Sequence, residues 1–115
     1  MWWTVGGILG ALGVGSGAFG AHALEAHIDD ARLIEVWHTG AKYHLIHALA
    51  LLGVAAHPGQ PDRAGWLFVA GIVLFSGSLY LMTLTGARWL GAITPLGGVA
   101  FIAGWLTLAF AARPG

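Results

Sequence analysis

Three of the six histidines, His22, His44 and His47, fall inside long apolar stretches of this 115-residue chain. His44 and His47 are three residues apart, so on a helix they share a face, with Tyr43 beside them. Imidazoles in such surroundings have three kinds of chemistry open to them. They join an interior hydrogen-bond network, with hydroxyls of Tyr43, Ser76, Ser78 or Thr94 as partners, because a buried imidazole has to be paired. They ligate zinc, copper or haem iron, for which His44 and His47 plus His22 from a neighbouring helix would serve. Or they carry protons or ions along a path fed by carboxylates at its mouth. The network is the expected reading of His22, Tyr43, His44, His47, Ser76, Ser78 and Thr94. No further ligand pattern supports a metal set of His22, His44 and His47. An ion path through so few helices needs an oligomer. No cofactor is therefore expected, with metal or haem as the subordinate alternative.

No enzyme is expected either. The chain has no nucleophile elbow, glycine-rich phosphate loop or His-Glu-x-x-His motif. His22 and Glu25 would make an acid–base pair, but a charged helix end explains them equally well. Cysteine is absent, which removes disulfides, thiolate nucleophiles and cysteine zinc sites.

The elements that must position these residues are set by composition. Hydrophobic residues make up 57% of the chain and charged residues 9%, against about 25% charged in a soluble domain. Mean hydropathy is +0.77. So few charges neither cover a water-facing surface nor keep a chain disordered. The balance of five basic and five acidic residues argues against nucleic acid as a partner. The expected fold is all-α, an integral membrane four-helix bundle of two hairpins, with residues 1–115 as one transmembrane domain. About 20 apolar residues cross a bilayer, and the candidate spans are 2–24, 35–56, 64–85 and 90–112. A cleavage site at Ala21-His22-Ala23 is not expected, because Met1-Trp2-Trp3 lacks a basic n-region and the apolar run is long.

The connections are short. Glu25 to Ile34 is polar, His57 to Arg63 carries two prolines and a glycine, and Gly86-Ala87-Arg88 is the third. Thr94-Pro95 reads as a helix start with Thr94 as N-cap, which makes Trp89 to Ile93 an interfacial segment; a Pro95 kink inside a longer helix is the competing reading. Arg63 and Arg113 fall on one side, Arg32 and Arg88 on the other with Lys42 just inside, so the basic residues do not choose an orientation. Trp2, Trp3, Trp37, Trp66 and Trp89 sit near the boundaries, where they are expected to anchor. Most polar chemistry gathers in one half: His22, Glu25, His38, Tyr80, Thr83 and Thr94 all belong to it.

Gly6, Gly10, Gly13, Gly17 and Gly20 are spaced four, three, four and three. At 100° per residue they fall within about an 80° arc, a face without side chains. It is expected to pack against another helix of the same chain, and the alternative is a dimer seam. Gly71, Gly77, Gly97, Gly98 and Gly104 predict close packing of the third and fourth helices. Ser16-Gly17 and Ser76-Gly77-Ser78 form a weak internal echo.

Four motifs occur in order: Gly17-Ala18-Phe19-Gly20-Ala21-His22-Ala23-Leu24, Lys42 to Leu52 with Tyr43-His44-Leu45-Ile46-His47, Leu74-Phe75-Ser76-Gly77-Ser78-Leu79-Tyr80, and Ile93-Thr94-Pro95-Leu96-Gly97-Gly98. Over essentially the whole chain this resembles the small bacterial inner-membrane proteins of domain of unknown function 423. A small four-span human transmembrane protein looks related. The resemblance implies four retained spans in the cytoplasmic membrane. From the residues themselves, the expected role is structural or accessory, with the lipid bilayer and a homo-oligomer or larger membrane complex as partners. It supplies no activity, cofactor or catalytic residue. It implies that His22 and His47 belong to family motifs, while the position of His44 also accepts glutamine, which weakens an obligatory metal site there. It also implies that Ser76-Gly77-Ser78 and Thr94-Pro95 pack beside the second helix.

Overall fold

The structure, a computed structural model, describes residues 1–112. Arg113, counted above toward one side, lies outside them. The described residues form four long helices and no strand. We label them α1 (Trp2–His27), α2 (Ala31–Ala56), α3 (Asp62–Thr85) and α4 (Thr94–Ala109). A 3-10 turn, Arg88–Ala92, leads into α4. The helix α1, the helix α3 and the stretch Arg88–Ala109 are long and apolar enough to cross a membrane.

The helix ends follow local chemistry. Asp30 caps α2, its Oδ1 accepting the Arg32 backbone N–H at 2.9 Å. That cap moves the start of α2 four residues ahead of the expected 35 and shortens the polar connection to three residues. The first helix overruns its expected end at 24, because Gly20–Leu24 widens into a π-helical turn and continues to His27. A second π-helical turn, Ile72–Ser76, interrupts α3. Such turns insert a residue and shift helix phase. Gly86 ends α3 at φ +71°, a conformation that suits glycine. Pro95 lies in the first turn of α4, so it starts that helix and does not kink it. Thr94 does not cap, however, because its hydroxyl is turned toward α3. The helix ends at Ala109, short of the expected 112.

Glycine sets the packing, in two antiparallel pairs with a seven-residue repeat. Gly6 lies against Leu51 and Leu52, Gly13 against His44 and Leu45, and Gly20 against Trp37 and His38. Each step of seven along α1 is a step of seven back along α2, the period that keeps one seam facing its partner. Gly10 and Gly17 sit about 40° round the helix from Gly6 and Gly13. Nothing lies within 4 Å of where their Cβ atoms would be. The expected five-glycine seam is thus a three-glycine seam with two glycines turned out. The second pair alternates: Phe68 of α3 fills the space at Gly104, Phe75 that at Gly97, and Phe101 of α4 that at Gly71.

The helix α1 packs on α2, α2 on α3 and α3 on α4. The Cα atoms span 55 × 26 × 16 Å, so the array is flattened, with α1 and α4 on its flanks. The four expected helices are all present, set in a flattened array. The core joins Trp2, Leu51, Val54, Phe68, Ile72 and Phe101. Trp3, Trp66 and Trp89 point outward, as anchors should. Trp2 and Trp37 do not. Trp2 is buried and donates Nε1–H to Asp62 Oδ1 at 2.8 Å, tying the start of α1 to the start of α3. Trp37 is buried and donates to the Ser16 carbonyl at 2.7 Å.

Candidate functional site

The polar interior is centred on α2, where His44 and His47 are shielded by α1, α3 and α4. His47 is 3% exposed and His44 is 5% exposed. Both nitrogens of His47 are occupied. Its Nδ1 lies 2.7 Å from the Tyr43 carbonyl, which only accepts, so Nδ1 carries the proton. Its Nε2 lies 3.0 Å from Trp105 Nε1, and an indole N–H only donates, so Nε2 supplies the lone pair. The ring is therefore neutral, in one tautomer, with no free lone pair for a metal. Phe101 stacks on it at 3.5 Å between centroids and 8° between planes. Phe101 reaches that position because Gly71 leaves room for its other side.

His44 sits one turn earlier. Its Nδ1 is 2.8 Å from the Tyr80 hydroxyl of α3. Tyr80 comes so near because Gly40 has no side chain; a Cβ there would stand 3.1 Å from Tyr80 Cε1. The other edge of the His44 ring faces α1, where a Cβ on Gly13 would be 3.3 Å from His44 Cδ2. On that edge Nε2 is buried and has no hydrogen-bond partner among the described residues.

The hydroxyls expected to pair with these histidines go elsewhere. Ser76 Oγ donates to the Gly40 carbonyl at 2.7 Å, pinning α3 to α2 inside the π-helical turn. Ser78 Oγ lies 2.9 Å from the Phe75 carbonyl and 2.6 Å from the Thr94 hydroxyl, a hydroxyl–hydroxyl hydrogen bond that joins α3 to α4. Tyr43 offers His47 its backbone carbonyl, not its hydroxyl. These are short side chains whose nearest acceptors are the carbonyls of adjacent turns. Thr83, buried at the far end of α3, likewise donates to the Leu33 carbonyl at 2.9 Å.

His22 lies exposed on the π-helical turn of α1, away from this interior. The turn shifts its phase, so the expected set of His22, His44 and His47 does not assemble. Among the described residues no three His, Cys, Asp or Glu side chains are placed to hold a metal ion. Nor do His22 and Glu25 pair. Glu25 Oε1 instead meets His38 Nε2 at 3.3 Å, with both side chains solvent-accessible.

Trp105 and the pairing role of Tyr80 are what residue spacing did not reveal. Trp105 lies in the last turns of α4, seven residues inside the expected boundary at 112, and an indole inside a span needs an acceptor. That was the available signal.

The family model described as "Protein of unknown function (DUF423)" matches residues 16–98. The UPF0382 membrane protein YwdK of Bacillus subtilis is 54% identical over 114 residues, 94% of this chain and 92% of the relative. A UPF0382 membrane protein of Staphylococcus haemolyticus is 49% identical, covering 88% of each. One of Schizosaccharomyces pombe is 37% identical, covering 92% of this chain and 96% of the relative, so such relatives are not confined to bacteria. No solved structure matches. With a family model spanning most of the chain and relatives similar along nearly their full length, the chain belongs to the DUF423 family of proteins of unknown function.

Proposed function

We propose that this is a multi-pass membrane protein whose four helices all cross the bilayer, in bacteria the cytoplasmic membrane. We further infer a non-enzymatic role, structural or accessory, exerted through helix contacts with further copies or a larger complex. Three helices with the length and hydropathy to cross support the first part, as do relatives named membrane proteins. The helix α2 carries Arg32, Glu35 and Lys42 toward its start and keeps its buried histidines against its neighbours, the arrangement that ionisable groups need in lipid. The observation that carries the second part is His47, with both ring nitrogens held by protein groups. An imidazole so engaged serves packing rather than ligand exchange or proton transfer. The outward glycines Gly7 and Gly10 line a groove on α1 and α2 that suits a neighbouring helix.

A second reading, a small ligand or ion held near His44, is favoured by its unpartnered Nε2. Because the chain lacks cysteine, single-cysteine variants test the main reading cleanly. With four crossings, Ile28→Cys and Ala87→Cys label from one side of the membrane and Gln60→Cys from the other. Labelling of Ile28→Cys and Gln60→Cys from the same side removes α2 as a span. Native mass of the purified protein tests the role: a complex lost in Gly10→Leu supports helix contacts, and stoichiometric metal abolished by His44→Gln supports the second reading.

A further inference from the structure

Arg32, at the start of α2, and Arg88, just past the end of α3, line one hollow with Asp30, over a floor that includes Leu33, Val36 and Met82. A groove beside it is lined by Arg32, Glu35, Val36, Thr39 and Leu79. The two share Arg32 and Val36, so the polar hollow adjoins a groove bordered by α2 and by Leu79 of α3. Neither arginine has an ion-pair partner within 4.0 Å among the described residues, where His38 with Glu25 is the one pair formed. Asp30 spends one carboxylate oxygen on the Arg32 backbone N–H, and Glu35 is exposed. Two guanidinium groups and two carboxylates thus line adjoining hollows with their charges unmatched by one another.

We propose that this is a binding site for a zwitterionic phospholipid of the phosphatidylethanolamine type. The phosphate sits between Arg32 and Arg88, the ammonium faces Glu35 and Asp30, and one acyl chain follows the groove past Val36 and Leu79. Guanidinium groups match phosphate oxygens in geometry and charge. The carboxylates decide the headgroup, because a purely anionic lipid would meet Asp30 and Glu35 unfavourably while a primary ammonium satisfies them. The position decides the source: the hollow lies where α2 begins and α3 ends, at headgroup depth if both helices cross. The inference therefore rests on the crossing of α2 proposed above.

The test is lipid retention by the full chain in detergent, measured by native mass and by thermal shift, with phosphatidylethanolamine, phosphatidylglycerol or inorganic phosphate added. Phosphatidylethanolamine should be retained at about one per chain, and the Arg32→Gln/Arg88→Gln double variant should weaken retention about tenfold or more. Arg63→Gln, at the other end, should leave it unchanged. Equal retention by the double variant overturns the site. Retention of phosphatidylglycerol as strong as that of phosphatidylethanolamine overturns the zwitterion assignment, and an equal thermal shift from inorganic phosphate overturns the lipid. Ile28→Cys and Gln60→Cys labelling in intact membranes, before detergent extraction, separates the two readings: opposite-side labelling without lipid retention sinks the site and leaves the topology standing.

Discussion

Trp105 of α4 donates its indole N–H to Nε2 of His47 on α2 at 3.0 Å, and this bond selects the tautomer of a histidine packed among three helices. The same imidazole donates from Nδ1 into its own helix, to Tyr43, and stacks on Phe101. Helices that share no chain connection are joined through one neutral ring.

Replacing Trp105 by Phe keeps a ring and removes the donor. His47 Nε2 is then a buried acceptor without a partner, at a cost of about 1–2 kcal/mol. His47→Ala also loses the stack and both bonds, and should cost about 3–4 kcal/mol. Equilibrium unfolding in mixed micelles reads both. A neutral Trp105→Phe would mean that the bond adds nothing to stability.

The helix α1 should tolerate bulk in one phase and reject it in the other. A Cβ on Gly13 would meet Leu45 Cδ2 at 2.7 Å, so Gly13→Leu should lower stability by about 1–3 kcal/mol or more. At Gly10 the space is open, so Gly10→Leu should leave thermal stability near that of the parent. Equal losses at the two positions would contradict the seven-residue seam.

The α3–α4 seam predicts which clashes a second change relieves. At Gly71 an added methyl meets the Phe101 side chain, and at Gly97 it meets the Phe75 backbone nitrogen. A Phe101→Leu change should therefore restore part of the stability lost in Gly71→Ala. A Phe75→Ala change should not rescue Gly97→Ala, because the obstructing atoms are backbone. Thermal unfolding of the four single and two double variants checks both.

His44 and Tyr80 should be coupled. Tyr80→Phe leaves His44 Nδ1 without its hydroxyl, and His44→Leu leaves that hydroxyl unpaired. A double-mutant cycle on unfolding free energy should return about 1 kcal/mol of interaction. Additive losses would show that the 2.8 Å contact carries no net energy.

Much of this molecule follows from its one-dimensional pattern. Its apolar runs, broken at the polar stretch Glu25 to Ile34, at Pro58-Gly59 and at Gly86, already specify four helices, because apolar stretches between turn residues have few other ways to bury themselves. Glycine spacing predicts close helix contacts, and the burial of His44 and His47 follows from their place in an otherwise apolar segment. Partners do not follow. Ser76, Ser78 and Thr94 look like companions for the histidines, yet they bond to one another and to backbone carbonyls. His22 looks like a third member and lies outside. Two π-helical turns, invisible to a 3.6-residue count, rotate His22 away and seat Ser76 against Gly40. The phase difference of about 60° between Gly10 and Gly13 likewise becomes meaningful only when α2 is present to occupy one side. Periodicity along a chain fixes which face a residue shares with its neighbours in sequence. Which foreign atom meets that face depends on the phase and register of a second helix, and only the folded arrangement sets those.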